Sequence, residues 1–219
     1  MGNKHYIQSV ERAMDILAYI ADNSDAGLSD ISSRLGLNTS TAFGILQTLE
    51  HTGFISRNTA GLKYCLGIRS LKLGLCYNFD NSLSKNIHDV LSELAASVGE
   101  TCYFEIRIGS KYYYYDVVLA ANPLKVVPDS KGFIDLPDNS AVSKVYNTYR
   151  TGQQYATDLE EVMEGLNCFA APVMSYGDIL GCIAVSGPSS RFTKEAADSC
   201  FSVYCDIMKA HGLENCVLR

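Results

Sequence analysis

The stretch SDISSRLGLNTSTAFGILQTLEHTG (29–53) decides how the first third of the chain folds. Ser29 stands where a helix N-cap belongs, Ile31 and Leu35 lie one turn apart, and Gly36 is placed to close a helix in the left-handed conformation. Asn38 or Thr39 can cap a second segment at once, with Ala42, Ile45, Leu46 and Leu49 forming one apolar stripe that stops before Gly53. Two short helices about a tight glycine turn spell a helix-turn-helix.

The flanks extend this unit. Upstream, Ser9 can cap a helix whose Val10, Ala13, Leu17 and Ile20 recur at three and four residues, the period of one buried face. Downstream, the β-prone runs FISR (54–57) and LKYCL (62–66) are separated by NTAG (58–61), a turn-forming tetrapeptide. Three helices and a hairpin make a winged helix-turn-helix, whose recognition helix enters the major groove of double-stranded DNA by its N-terminal side chains. Those are Thr39, Ser40, Thr41 and Phe43, with Gln47 on the same side, while Arg34, Arg57 and Lys63 are the cations placed to reach phosphates. The competing reading is a small helical module that makes protein contacts only.

The whole-chain charge does not point to nucleic acid. Eighteen Lys and Arg against 24 Asp and Glu leave 219 residues at −6, so a DNA site must be local. Residues 1–72 carry seven cations and six anions, and the remainder carries −7, so the asymmetry points weakly to the N-terminal third. With 47% hydrophobic and 19% charged residues the chain should bury a real core. The longest unbroken apolar run, 16–21, is far below the ~18 residues of a membrane helix, and the first residues lack a secretory signal. A soluble, cytoplasmic protein is expected, with no membrane partner. Eight cysteines (65, 76, 102, 168, 182, 200, 205 and 216) form no C-x-x-C pair and meet no histidine at zinc-finger spacing, so they read as small buried hydrophobes and no metal is expected.

The rest of the chain alternates helix and hairpin. IRSLKLGLCYNF (68–79) and SLSKNIHDVLSELAASV (82–98) are helical patterns, the second buried through Leu83, Ile87, Val90, Leu91 and Leu94. His88, beside that stripe, has no cysteine or carboxylate constellation and reads as an ordinary, partly exposed side chain. TCYFEIRI (101–108) alternates strictly, Cys102, Phe104, Ile106 and Ile108 against Tyr103, Glu105 and Arg107, as a half-buried strand does. KYYYYDVVLA (111–120) follows as its partner, with two phenols on each face. After the loop at 121–140, CFAAPVM (168–174) and DILGCIAVSG (178–187) form a nearly continuous apolar hairpin, which belongs at a sheet centre. Thr193 then caps a long helix packing through Ala196, Cys200, Tyr204 and Ile207. The fold class is α+β, with an antiparallel sheet covered by helices.

Two ordered blocks of this chain resemble the IclR family of transcription regulators. One runs from Ser9-Val10-Glu11-Arg12-Ala13 through Leu28-Ser29-Asp30-Ile31 and Ser40-Thr41 to Leu46-Gln47-Thr48-Leu49-Glu50 and Gly53-Phe54; the other runs from Asp158-Leu159-Glu160-Glu161 through Gly165-Leu166-Asn167-Cys168 to Ile183-Ala184-Val185-Ser186-Gly187-Pro188 and Arg191-Phe192. The resemblance implies an N-terminal winged helix-turn-helix (1–67), a helical linker (68–81) and a GAF-like α/β effector-binding and oligomerisation domain (82–219). It also implies a homodimer or homotetramer, a DNA operator, and a small-molecule effector bearing a carboxylate. By resemblance the effector site comprises the Gly132 and Phe133 amides, Ser140, Lys144, Glu161 and Ser186. Two positions depart from the family's pattern: Gly44 stands where an arginine is usual, and the stretch between Lys144 and Arg150 is short.

No nucleophile elbow, phosphate-binding loop or dinucleotide fingerprint occurs, so no cofactor and no enzyme is expected. The leading expectation is a ligand-responsive DNA-binding regulator. The alternative is a winged-helix interaction or sensing module that has lost specific DNA binding.

Overall fold

The computed structural model describes residues 6–23, 25–58, 61–79, 82–128 and 133–218 and, at 75–79 and 82–84, the backbone alone. The chain divides into two compact units, 1–81 and 82–219.

In the first unit, helices α1 (Gln8–Asp22), α2 (Leu28–Arg34) and α3 (Thr39–His51) pack with an antiparallel sheet of β1 (Ala26–Gly27), β2 (Ile55–Arg57) and β3 (Lys63–Leu66), in the order β1-β3-β2. Helix α4 (Ile68–Phe79) follows. Asn38 caps α3, its Oδ1 accepting from the Thr41 N–H at 2.8 Å. Gly36 closes the turn after α2 at φ +61°, a conformation in which a Cβ would be strained.

Two expected caps are corrected. Ile7, not Ser9, precedes α1, and Gly27, not Ser29, precedes α2, where the Asp30 carboxylate accepts from the Gly27 N–H at 2.9 Å. Gly27 is opposite Lys63 in the sheet, so strand pairing fixes where α2 begins. The α1 face is also shifted. Ile16 and Ile20 are its buried residues, with Ala13 and Leu17 half-buried and Val10 52% exposed. Packing with Ile31, Leu46, Leu49, Ile55 and Tyr64 selects among several 3.6-period stripes that α1 offers.

The second unit contains α5 (Ser82–Val98), β4 (Thr101–Ile108), β5 (Lys111–Val118), β6 (Phe133–Ile134), α6 (Ala141–Thr148), β7 (Ala156–Leu159), β8 (Leu166–Ser175), β9 (Asp178–Pro188) and α7 (Lys194–Ala210). The sheet is antiparallel in the order β6-β5-β4-β9-β8-β7. Helices α5 and α7 bury one face through Ile87, Leu91, Leu94, Cys200, Tyr204 and Met208. Helix α6 covers the other through Ala141, Val142, Val145 and Tyr146. A 3-10 turn (Tyr149–Thr151) ends α6, and four residues separate it from β7, so little chain lies between them.

Strand β4 is therefore not half-buried, as its alternation suggests. Residues 101–105 are buried on both faces, Cys102 and Phe104 towards α5 and α7, Tyr103 and Glu105 towards the α6 layer. Alternation reports which residues share a face, but a second helix layer has covered the polar one. The tyrosine run divides: Tyr112 and Tyr114 join the α6 layer, Tyr115 packs on the opposite core, and Tyr113 meets the Phe133 ring at 5.3 Å. Thr193 caps α7, which buries Ala197 and leaves the expected Ala196 only half-buried. Cys102, Cys182 and Cys200 are buried, and Cys65, Cys168, Cys205 and Cys216 are partly so. His88 is partly exposed, with Nδ1 2.8 Å from Asp116 Oδ2. Among the described residues, no helix is long and apolar enough to cross a membrane.

Candidate functional site

Helix α3 turns Ala42, Leu46 and Leu49 inward, which leaves Thr39, Ser40, Phe43, Gly44 and Gln47 exposed and Thr41 half-buried. Arg34, Thr39, Phe43, Gln47 and Lys63, five of the eight residues expected at DNA, are exposed. Arg34 ends α2 and Lys63 begins β3, both exposed. Three of the eight are committed locally, Ser40 because its hydroxyl donates to Asn38 Oδ1 at 3.0 Å. The Thr41 N–H is held by the Asn38 cap, and Arg57 donates from Nε to both Glu50 oxygens at 3.1 Å while its guanidinium lies 5.2 Å from the Tyr64 ring centroid. A Cβ added at Gly44 would meet nothing within 4 Å, so the helix tolerates a side chain there.

In the second unit, three rows of paired residues cross the sheet on its α6 side. The first is Asp158, Cys168, Ser186 and Thr101; the second is Ala156, Ala170, Ala184 and Tyr103; the third is Pro172, Cys182, Glu105 and Tyr114. A polar row is thus separated from Glu105 by a floor of three alanines. Ser186 Oγ is 3.1 Å from Cys168 Sγ, and Ser186 also hydrogen-bonds the Tyr103 phenol. Asp158 Oδ1 accepts from the Glu161 and Val162 N–H groups at 2.8 and 3.2 Å. Burial raises the Asp158 carboxyl above its ordinary range, against the pull of those two amides. Burial also pushes the Cys168 thiol up to about 12, so it is a thiol rather than a thiolate at neutral pH.

The residues expected at the effector site fall into three places. Ser140, Lys144 and Glu161 cluster where α6 begins. The Ser140 hydroxyl caps α6, accepting from the Ser143 N–H at 3.2 Å, and Lys144 Nζ donates to the Thr157 carbonyl at 2.9 Å and to Glu161 Oε1 at 2.6 Å. Ser186 lies in the first row of the sheet. Phe133 lies on the edge strand, paired with Tyr113 and 57% exposed, and Gly132 is outside the described residues. The sequence reading missed Asp158, Cys168, Tyr103 and Glu105 as site candidates. Asp158 had a signal, an acid in an alternating strand pattern, whereas Glu105 looked like an ordinary outward-facing residue.

Comparison with known proteins agrees with both halves of this description. The model of the IclR helix-turn-helix domain matches residues 9–59, and that of the bacterial transcriptional regulator IclR C-terminal region matches 137–206. The chain belongs to the IclR family. The glycerol operon regulatory protein of Streptomyces coelicolor is 29% identical over 226 residues, covering 86% of this chain and 88% of that protein. The HTH-type transcriptional regulator KdgR of Escherichia coli is 24% identical over 224 residues, covering 86% and 85%. An IclR family transcriptional regulator from Brucella abortus shares the fold with a TM-score of 0.59 at 16% identity, covering 95% of this chain and 92% of that one. This IclR-family chain is a DNA-binding transcriptional regulator and not an enzyme.

Proposed function

We propose that this regulator responds to a small organic acid held between α6 and the sheet, and that it acts in the cytoplasm as a homodimer or homotetramer on a DNA operator. The row of Asp158, Cys168 and Ser186 carries the reading, because it gathers polar groups from three strands, Asp158 and Ser186 buried and Cys168 partly so, beside a row of alanines. Ser186 donates to the effector carboxylate, assisted by the Ser140 end of α6; Phe133, on edge strand β6, stands three strands away from Ser186. Lys144 and Glu161 close the mouth as an ion pair. On the DNA side, Thr39, Ser40, Phe43 and Gln47 face base edges, and Arg34 and Lys63 face phosphates.

Assembly is supported by apolar side chains that a monomer leaves in water. Ile7, Val10 and Met14 on and before α1 are 70%, 52% and 56% exposed, and Ile68, Leu71 and Leu73 on α4 are 63%, 56% and 61% exposed. In a dimer, two recognition helices would read half-sites about 34–36 Å apart, or a multiple of that, on a pseudo-palindromic operator.

The deciding experiment is a salt-dependent titration against genomic DNA fragments, with thermal-shift screening of small acids on wild type and Ser186→Ala. Selective binding with a negative salt slope, and an acid whose stabilisation weakens in the variant by about 2- to 10-fold in Kd, are expected. Uniformly weak, unselective binding would favour the alternative, a winged-helix interaction module. Gly44 on the recognition helix and the engaged Arg57 are the observations on its side.

A further inference from the structure

Glu105 is an anomaly of this unit. It is 4% exposed, and its Oε2 is a buried oxygen without a hydrogen-bond partner. A buried polar group left unpaired costs about 1–3 kcal/mol, and in a native protein it calls for a reason. The neighbours in its row are Cys182 and Tyr114, and the next row's member on its own strand is Tyr103, whose phenol hydrogen-bonds Ser186. Among the described residues, no ion pair to it is found. The nearby Arg107 guanidinium is stacked 4.6 Å from the Tyr146 ring centroid, and the Tyr146 hydroxyl is used by the Arg107 N–H at 2.9 Å.

We propose that Glu105 is a ligand-contacting residue of the effector site, whose carboxyl group pairs with a hydroxyl of the effector. This rests on the effector site proposed above and deepens it by naming the ligand class, a hydroxylated acid. Glu105 and Ser186 stand at the two ends of the alanine floor. They are four residues apart along the ladder, since Thr101 pairs with Ser186 and Glu105 with Cys182, which puts their backbone positions roughly 13 Å apart at ~3.3 Å per residue. Tyr103 and Ala184 lie between them in the sheet, so a ligand that reaches both carries its polar groups at opposite ends of its chain. An effector with its carboxylate at Ser186 therefore brings a distal hydroxyl to Glu105.

The choice of a hydroxyl follows from the state of the group. Burial pushes the Glu105 carboxyl up to about 8, so at neutral pH it is a neutral acid that both donates and accepts, as a hydroxyl does. A second carboxylate at that position would find no positive charge. A purely apolar chain would leave Oε2 as it is.

The test uses the full chain and three probes of matched length: D-gluconate, hexanoate, which lacks the hydroxyls, and D-glucitol, which lacks the carboxylate. Calorimetric titration should give gluconate a Kd about 3- to 10-fold below that of hexanoate on wild type. Glu105→Ala and the length-matched Glu105→Met should both erase that preference, and Glu105→Gln, which keeps hydrogen-bonding atoms, should retain most of it. Two apolar variants guard against one failing to fold. Equal affinity of wild type for gluconate and hexanoate, or a preference that survives in Glu105→Ala and Glu105→Met, would overturn the role of Glu105 and leave the acid site standing. Binding of glucitol alone, abolished in the apolar variants, would keep Glu105 as a hydroxyl contact but overturn the acid. No binding of any probe at millimolar concentration would overturn both.

Discussion

Arg57 Nε lies 3.1 Å from both carboxylate oxygens of Glu50, so the cation of β2 is held by an anion on helix α3. Both side chains are about one-third exposed, and such a pair contributes under about 1 kcal/mol, so phosphate can compete for the guanidinium. Glu50→Gln should strengthen DNA binding at low salt and steepen the salt dependence by up to about one unit of log K per log salt, with a change in stability too small to confuse the result. Arg57→Ala should weaken binding to all sequences alike and flatten the slope by a similar amount. An unchanged slope in both variants would mean that Arg57 stays on Glu50 in the complex.

Gly44 offers a gain of function. It is exposed, in the middle of α3, and a Cβ there meets nothing within 4 Å. Gly44→Ala should raise stability by about 0.5–1 kcal/mol through helix propensity alone. Gly44→Arg should show most of the same gain and also bind DNA more tightly, with one more ion released. Fluorescence anisotropy of the two variants on one fragment separates the contributions. Weaker binding by Gly44→Ala would show that the helix backbone approaches DNA closely at this point.

The second unit should depend strongly on Arg191. Glu100 is buried, and Arg191 Nη2 donates to its Oε2 at 2.9 Å and to the Leu124 carbonyl at 2.6 Å, fastening the 121–128 segment over the sheet. Gly187 accommodates this arrangement, since a Cβ there would sit 2.6 Å from the Glu100 carboxyl carbon. Arg191→Ala strands a buried carboxylate and should lower the stability of the unit clearly. Chemical denaturation measures this. Arg191→Lys should recover part of the loss, since one ammonium cannot replace both contacts.

Glu105 should also give the protein a pH-dependent stability. Its carboxyl titrates near 8 in the folded unit and near 4.5 when unfolded, so between these values the folded state holds one proton more. Stability is then greatest below 4.5 and falls as pH rises towards 8, levelling beyond it. The raised Asp158 carboxyl adds a decline of the same sign. Denaturation midpoints at pH 5, 6.5, 8 and 9 should converge for wild type and Glu105→Gln at the acid end and separate in favour of the variant at the basic end. Parallel curves would show that Glu105 is ionised in the folded protein.

The winged unit was legible because its signals are local: a cap at Asn38, a left-handed glycine at Gly36, and a stripe through Ala42, Leu46 and Leu49 whose period no other structure matches. The order of helices and hairpins in the second unit was legible for the same reason. Ser9 and Ser29 misled because a cap residue competes with strand pairing and packing for the helix start, and at Gly27 the pairing with Lys63 won.

By itself, then, the sequence determined most of the elements and the family, since propensity, periodicity and turn chemistry act over a few neighbouring residues. Only the tertiary structure decided what each face meets. Glu105 alternates with apolar neighbours as any solvent-facing residue would, and it is α6, contributed by a segment some forty residues away, that closes over that face and turns an ordinary glutamate into a buried acid. The row of Asp158, Cys168 and Ser186 likewise exists only through the register of three strands, which hydrogen bonding between distant segments sets and no local pattern encodes.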